Sequence, residues 1–157
     1  MSTWFIDAKL FSDNGDEKLI KELCIMNVDD PLNAFYFIYY EQKPWLSLSS
    51  KARYDNNFLT SHYHLLGWRE GQDVFCPSCT IESTQADVNT SLFYVIDSPT
   101  GSKINTIKKY FPMIRVTNYT MPYTPLPENI SCPWRPHGIH CAYKQCFMGC
   151  MHYIKNM

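Results

Sequence analysis

Cys132-Pro133-Trp134-Arg135-Pro136-His137-Gly138-Ile139-His140-Cys141 places four thiol or imidazole side chains within ten residues. Zinc favours tetrahedral shells of thiolate, imidazole and an occasional carboxylate, so this window points to a structural metal. The competing reading makes Cys132 and Cys141 buried apolar thiols and leaves His137 and His140 on the surface. Cys76-Pro77-Ser78-Cys79 is a weaker candidate: half a zinc ribbon, a redox pair, or an inert loop. Cys146 and Cys150, at i and i+4, supply the second half of a ribbon only if the long loop folds back. His62, His64 and a thiol suggest a Cys-His pair, but nothing sets their geometry. No Gly-x-Ser-x-Gly elbow or phosphate-cradling glycine loop occurs among six glycines, which argues against nucleophilic catalysis.

The elements that must position these groups follow from local patterning. Thr3 to Leu10 and Leu19 to Met26 read as strands joined across Asn14-Gly15, the strongest short-range hairpin signal. Ala34 to Tyr40 is nearly continuously aromatic, as a strand covered on both faces should be. Ser47 to Ser61 reads as a helix, residues 72–90 as a loop or short helix, and Leu92 to Asp97 as a strand. Ser102 to Phe111 has helical spacing, Met113 to Val116 reads as the fifth strand, and His140 to Asn156 as the last helix. Six of the ten prolines fall between Pro112 and Pro136, which makes residues 121–136 an extended loop. The expected order is β-β-β-α-β-α-β-α, an α+β (α/β-like) five-stranded mixed sheet with helices on both faces, in one domain spanning residues 1–157.

Length and composition agree with this reading. A chain of 157 residues with 45% hydrophobic content can bury a single core and is not disordered. The net charge of −1 hides an asymmetry, because residues from Gly101 onward carry seven bases against Glu128 alone. Lys103, Lys108, Lys109, Arg115, Arg135 and Lys144 are therefore the expected phosphate-binding side chains, unless that face only keeps the protein soluble. Trp4-Phe5-Ile6 is interrupted by Asp7 and Lys9, and no apolar run reaches a membrane span. The expectation is an intracellular protein, cytoplasmic or nuclear, whose seven cysteines are thiols or metal ligands rather than a disulfide framework.

The element order resembles that of RNase H-like nucleases, and three local patterns resemble the DEDDh exonuclease branch. Asp7 in Phe5-Ile6-Asp7 stands where that family opens an Asp-x-Glu motif. His64-Leu65-Leu66-Gly67-Trp68 resembles its Thr-x-x-x-Gly-Ile segment. His140-Cys141-Ala142-Tyr143-Lys144-Gln145 resembles its His-x-Ala-x-x-Asp. The resemblance implies two divalent ions held by carboxylates, yet Lys9 and Gln145 occupy acid positions and no acid follows Glu128. Asp7, Asp97 and His140 are then vestiges, and the chain is expected to bind rather than cut.

A second resemblance, to the Maelstrom domain of germline piRNA factors, implies a Glu-His-Cys-Cys zinc site in such a degenerate fold. Glu22, His64, Cys132 and Cys141 occupy similar places, with His137 and His140 as substitutes and Cys76 and Cys79 as the weaker alternative. Parts of the chain also look like uncharacterised exonuclease-like proteins of insect and mobile-element origin. Three functions follow as expectations. The first is a catalytically silent domain binding single-stranded nucleic acid, RNA above all, or a nucleoprotein partner in small-RNA silencing or a viral or mobile-element counterpart. The second is a protein-interaction module docking through Trp45, Trp68 and Trp134, and the third a nuclease of altered mechanism using Asp7, Asp97 and a histidine.

Overall fold

The computed structural model describes residues 2–98, 101–122, 130–138 and 141–157. The hairpin expected at Asn14-Gly15 joins β1 (Thr3–Ser12) to β2 (Lys18–Asn27), with Gly15 at φ +68° and the Asp13 amide donating to the Glu17 carbonyl at 2.9 Å. The aromatic run forms β3 (Phe35–Ile38), antiparallel to β2. After a 3-10 turn at Trp45–Ser47 come α1 (Ser50–His62), α2 (Pro77–Thr84), β4 (Leu92–Val95), α3 (Ser102–Tyr110), β5 (Val116–Asn118) and α4 (Ala142–Lys155).

The five strands lie in the order β3-β2-β1-β4-β5, with β1-β4 and β4-β5 parallel, so the sheet is mixed and open. The expected element order holds, with α2 resolving residues 72–90 into a loop and a short helix. Most boundaries move by one to three residues, and two of the shifts have a visible cause. Pro112-Met113 turns the chain, the Ile114 amide bonds back to the Phe111 carbonyl, and β5 starts at Val116 rather than Met113. Ser49, not Ser47, opens α1, because its hydroxyl accepts the Ala52 amide.

Strand alternation sorts the side chains into two cores. Trp4, Ile6 and Ala8 of β1 with Leu23 and Ile25 of β2 pack on one face against Ile81 of α2 and Ile107 of α3. Phe5, Cys24 and Met26 pack on the other face against Ala142, Cys146 and Cys150 of α4. Helix α4 lies close enough that a Cβ at Gly149 would meet the Phe5 ring at 2.5 Å, so only glycine fits. A bulge breaks the alternation where Lys9 pairs with Glu22 but Leu10 pairs with Ile20. The extra residue is Lys21, which leaves the ladder pattern and reaches across to the chain around Trp68.

Candidate metal centre

Glu22, Cys132, His137 and Cys141 converge with one ligand atom each, all within 4.8 Å of one another, and all four residues are buried. Tetrahedral zinc with bonds of 2.0–2.3 Å separates its ligands by roughly 3.6 Å, so a small contraction closes this set on an ion. Each ligand has a separate structural cause. Glu22 sits mid-strand on the α4 side of β2, where its Oε1 accepts the Ala142 amide at 2.8 Å and caps the positive end of α4. Cys141 is the N-cap of α4, its Sγ accepting the Lys144 amide. Cys132 and His137 arrive on the Pro-rich loop.

That loop is fastened from outside. Arg135 grips the Glu70 carboxylate with Nε to Oε2 at 2.6 Å and Nη2 to Oε1 at 2.7 Å, and the Trp134 indole donates to Oε2. The fork on Arg135 pulls the Glu70 carboxyl down to about 2. The loop carrying Glu70 is held in turn by Lys21, whose ammonium donates to the carbonyls of Tyr39 (2.8 Å), Trp68 (3.1 Å) and Glu70. The bulge in β2 thereby positions the metal loop at one remove.

The imidazole of the set is His137, not His64. His137 Nδ1 donates to the His64 carbonyl at 2.9 Å, which fixes the tautomer and aims Nε2 at Glu22 Oε2, 2.7 Å away. His64 contributes only that carbonyl. Leu65 adopts a left-handed turn (φ 58°), and the His64 ring packs edge-on against Phe11 with centroids 4.7 Å apart, while Nδ1 accepts the Leu66 amide. The other substitute, His140, lies outside the described residues. Cys76 and Cys79 are joined to each other in a disulfide and take no part in the cluster, and Cys146 and Cys150 lie in the α4 core.

Tyr36, which the sequence marked only as part of an aromatic strand, reaches the same centre. Its hydroxyl donates to Glu22 Oε2 and lies 3.1 Å from Cys132 Sγ and 3.3 Å from His137 Nε2. The diagonal of the β2-β3 ladder, with Cys24 opposite Tyr36 and Glu22 opposite Ile38, brings the two side chains to one face. In the ion-free cluster Cys132 is the thiolate, while His137 and Cys141 keep their protons. The Cys141 thiol, against the opposing penalty of burial, draws Cys132 down to about 3, and its own thiol is pushed up by that bond. Burial works against protonated His137, but Cys132 and Glu22 hold it up at about 10. An ion entering here displaces protons from His137 and Cys141, so its affinity rises with pH.

Asp7 and Asp97, the acids expected as vestiges, are both engaged. Asp7 is 2% exposed, with Oδ1 2.6 Å from Lys103 Nζ and Oδ2 3.4 Å from Lys9 Nζ. Burial opposes a charge on Lys9, yet Asp7, with Tyr63 and Glu22, keeps its pKa above the ordinary lysine value. Asp97 caps α3, its Oδ2 accepting the Ile104 amide at 2.9 Å. The strand ends nearby open into a cleft of about 250 Å³ whose lining includes Lys9, Lys18, Lys103, Ser102, Asp97 and Tyr63.

The six basic side chains singled out in the sequence do not form one patch. Arg135 is bound to Glu70 and Lys109 pairs with Glu17, while Lys103 is turned to Asp7 on the cleft wall. Lys108 and Arg115 are exposed with no ion pair among the described residues, and Lys144 is half-buried on α4. Lys9 and Lys18 were missed as cleft cations. Of the three tryptophans, Trp45 and Trp68 pack edge-on at 5.4 Å and Trp134 is tied to Glu70, so none stands free.

Lowering the pH is expected to unfold the domain partly through His64. Burial, reinforced by the Lys9 charge, holds its pKa near 3, against about 6.5 in an unfolded chain. The unfolded state therefore binds the extra proton between those values, and stability is complete above pH 6.5 and lost as pH falls toward 3. The loss between pH 6.5 and 4.5 is roughly 2 kcal/mol. Urea midpoints at the two pH values check it. His64→Asn keeps an acceptor for the Leu66 amide without titrating, and its midpoint falls less over the same interval.

The chain matches no protein-family model, no curated protein and no solved structure.

Proposed function

We propose that this chain is a catalytically silent domain of RNase H-like type, locked by one structural zinc ion, that binds single-stranded nucleic acid, RNA in particular, in the cleft beside Asp7. One observation carries this reading: both oxygens of Asp7 face lysine ammonium groups, Lys9 and Lys103, on the wall of a cleft. A two-metal nuclease needs carboxylates converging on ions at that place, and two fixed cations repel them. Lys103, 15% exposed, and Lys18, whose Nζ lies 3.3 Å from Ser12 Oγ, face the same cleft as donors for phosphate oxygens, with Tyr63 alongside as an aromatic surface. The element order and five-stranded mixed sheet support the family resemblance, and no helix of the described residues is long and apolar enough to cross a membrane.

The metal's part in this reading is structural. Glu22, Cys132, His137 and Cys141 would fill a tetrahedral shell, leaving no position for a reactive water. When bound, zinc supplies the cross-link between β2, the Pro-rich loop and the start of α4. Each of those segments reaches the centre by its own hydrogen bonds, and Tyr36 orients the carboxylate.

Fluorescence anisotropy with labelled single-stranded RNA tests the proposal. Binding is expected at low salt and weakens as salt rises. Lys18→Glu weakens it further and reduces the salt slope by about 1. Absence of low-salt binding overturns the nucleic-acid reading, and RNA cleavage with magnesium or manganese that vanishes in Asp7→Asn overturns the claim of silence.

A further inference from the structure

We propose that Cys76 and Cys79 form a redox-active disulfide that exchanges with thiols, at a place separate from the metal centre. The pair closes the N-terminus of α2, with Cys76 as N-cap, Pro77 in the first turn, and Cys79 exposed. The other five cysteines are buried as free thiols, so this bridge belongs to no disulfide framework. It spans three positions in sequence, the kind of short loop whose closure removes least entropy from the unfolded chain. As a staple it has little to hold. Helix α2 is already anchored by Ile81 in the core, by Tyr39 Oη 3.2 Å from Thr80 Oγ1, and by the Phe75 and Tyr39 rings 5.0 Å apart.

The two sulfurs are not equivalent. The Cys79 amide donates to Cys76 Sγ at 3.3 Å, and Cys76 stands at the positive end of the helix. An incoming thiolate attacks the exposed Cys79 Sγ, forms a new S–S bond there, and breaks the Cys76–Cys79 bond. The electron pair stays on Cys76, whose thiolate the amide and the helix terminus stabilise. A second thiol then attacks the sulfur of the first that is bound to Cys79. The pair is reduced to two thiols while the two external thiols leave as their own disulfide. In reverse, the Cys79 thiolate attacks an external disulfide and expels one external thiolate, and the Cys76 thiolate then attacks Cys79 Sγ, closes the bridge and expels the second. The approach is open, since Ser78 and Cys79 are both exposed.

Reduced glutathione is the probe, applied to the folded, zinc-loaded chain, followed by maleimide and peptide mapping. Before treatment Cys76 and Cys79 are expected to be linked and unmodified, and afterwards both carry maleimide while Cys24, Cys146 and Cys150 do not. Oxidised glutathione then restores the bridge. In Cys79→Ser, Cys76 takes one glutathione from oxidised glutathione at least tenfold faster in the folded chain than in urea. A bridge that survives glutathione until the chain is denatured overturns the proposal, as does a pair that stays reduced under oxidised glutathione. Equal folded and unfolded rates for Cys79→Ser overturn the assigned role of Cys76.

Discussion

Cys141→Ser is expected to carry far less than one zinc per chain and to melt on the order of 10 °C or more below the wild type. A serine hydroxyl is a poor zinc ligand at neutral pH, and Glu22 and His137, both fully buried, would then face each other without the ion. A structural zinc contributes about 10 kcal/mol of apparent folding free energy, and a chain of this size shifts by about 2–4 °C per kcal/mol. Half of that contribution already produces the stated drop. Cys132→Ser and His137→Ala should match it, and chelator-treated wild type should melt with them. His64→Asn retains the metal, because the ring it removes lies against Phe11 and only the backbone carbonyl serves the site. Calorimetry with elemental analysis reads both quantities. If Cys141→Ser keeps its zinc and its melting temperature, the four-residue site is wrong and the cysteines are ordinary core thiols.

Asp7→Asn is the second large effect, and its sign separates two chemistries. In a nuclease that gathers carboxylates around metal ions, removing one relieves repulsion in the ion-free protein, so stability rises or holds. Here the carboxylate sits between Lys9, 3% exposed, and Lys103, 15% exposed. Asparagine leaves a buried ammonium uncompensated, and breaking such a pair costs about 3–5 kcal/mol. Urea denaturation should show that loss, and Asp7→Asn combined with Lys9→Met should recover much of it by removing the stranded charge. Wild-type stability in Asp7→Asn alone would return Asp7 to a metal-binding role.

Local patterning was enough to place most of the framework. Asn14-Gly15 makes its turn, the period-two alternation of β1 and β2 divides the two cores, and the spacing of Ala142, Cys146 and Cys150 puts α4 on the sheet. These features depend on residues one to four apart, so a linear pattern carries them. The window from Cys132 to Cys141 likewise pointed, through ligand density alone, to a cluster that could hold a metal ion. The same patterning misjudged β5, where Pro112 delays the strand, and it read Ser47 as helical when Ser49 held the cap.

What tertiary structure alone decided is which groups meet. The sequence put His64 first as the imidazole ligand and His137 only as a substitute, and the cluster holds His137 instead. The choice fell to a left-handed turn at Leu65 and to Arg135 clamped on Glu70, 65 positions away. Tyr36 joined the centre because it lies diagonal to Glu22 across two strands. The basic third of the chain lost its unity because Glu17, Glu70 and Asp7 claimed Lys109, Arg135 and Lys103 from distant segments. Composition counts charges without pairing them. The Glu22 carboxylate meets the Ala142 amide across 120 residues, and only the closed sheet with α4 packed on it brings such atoms within bonding distance.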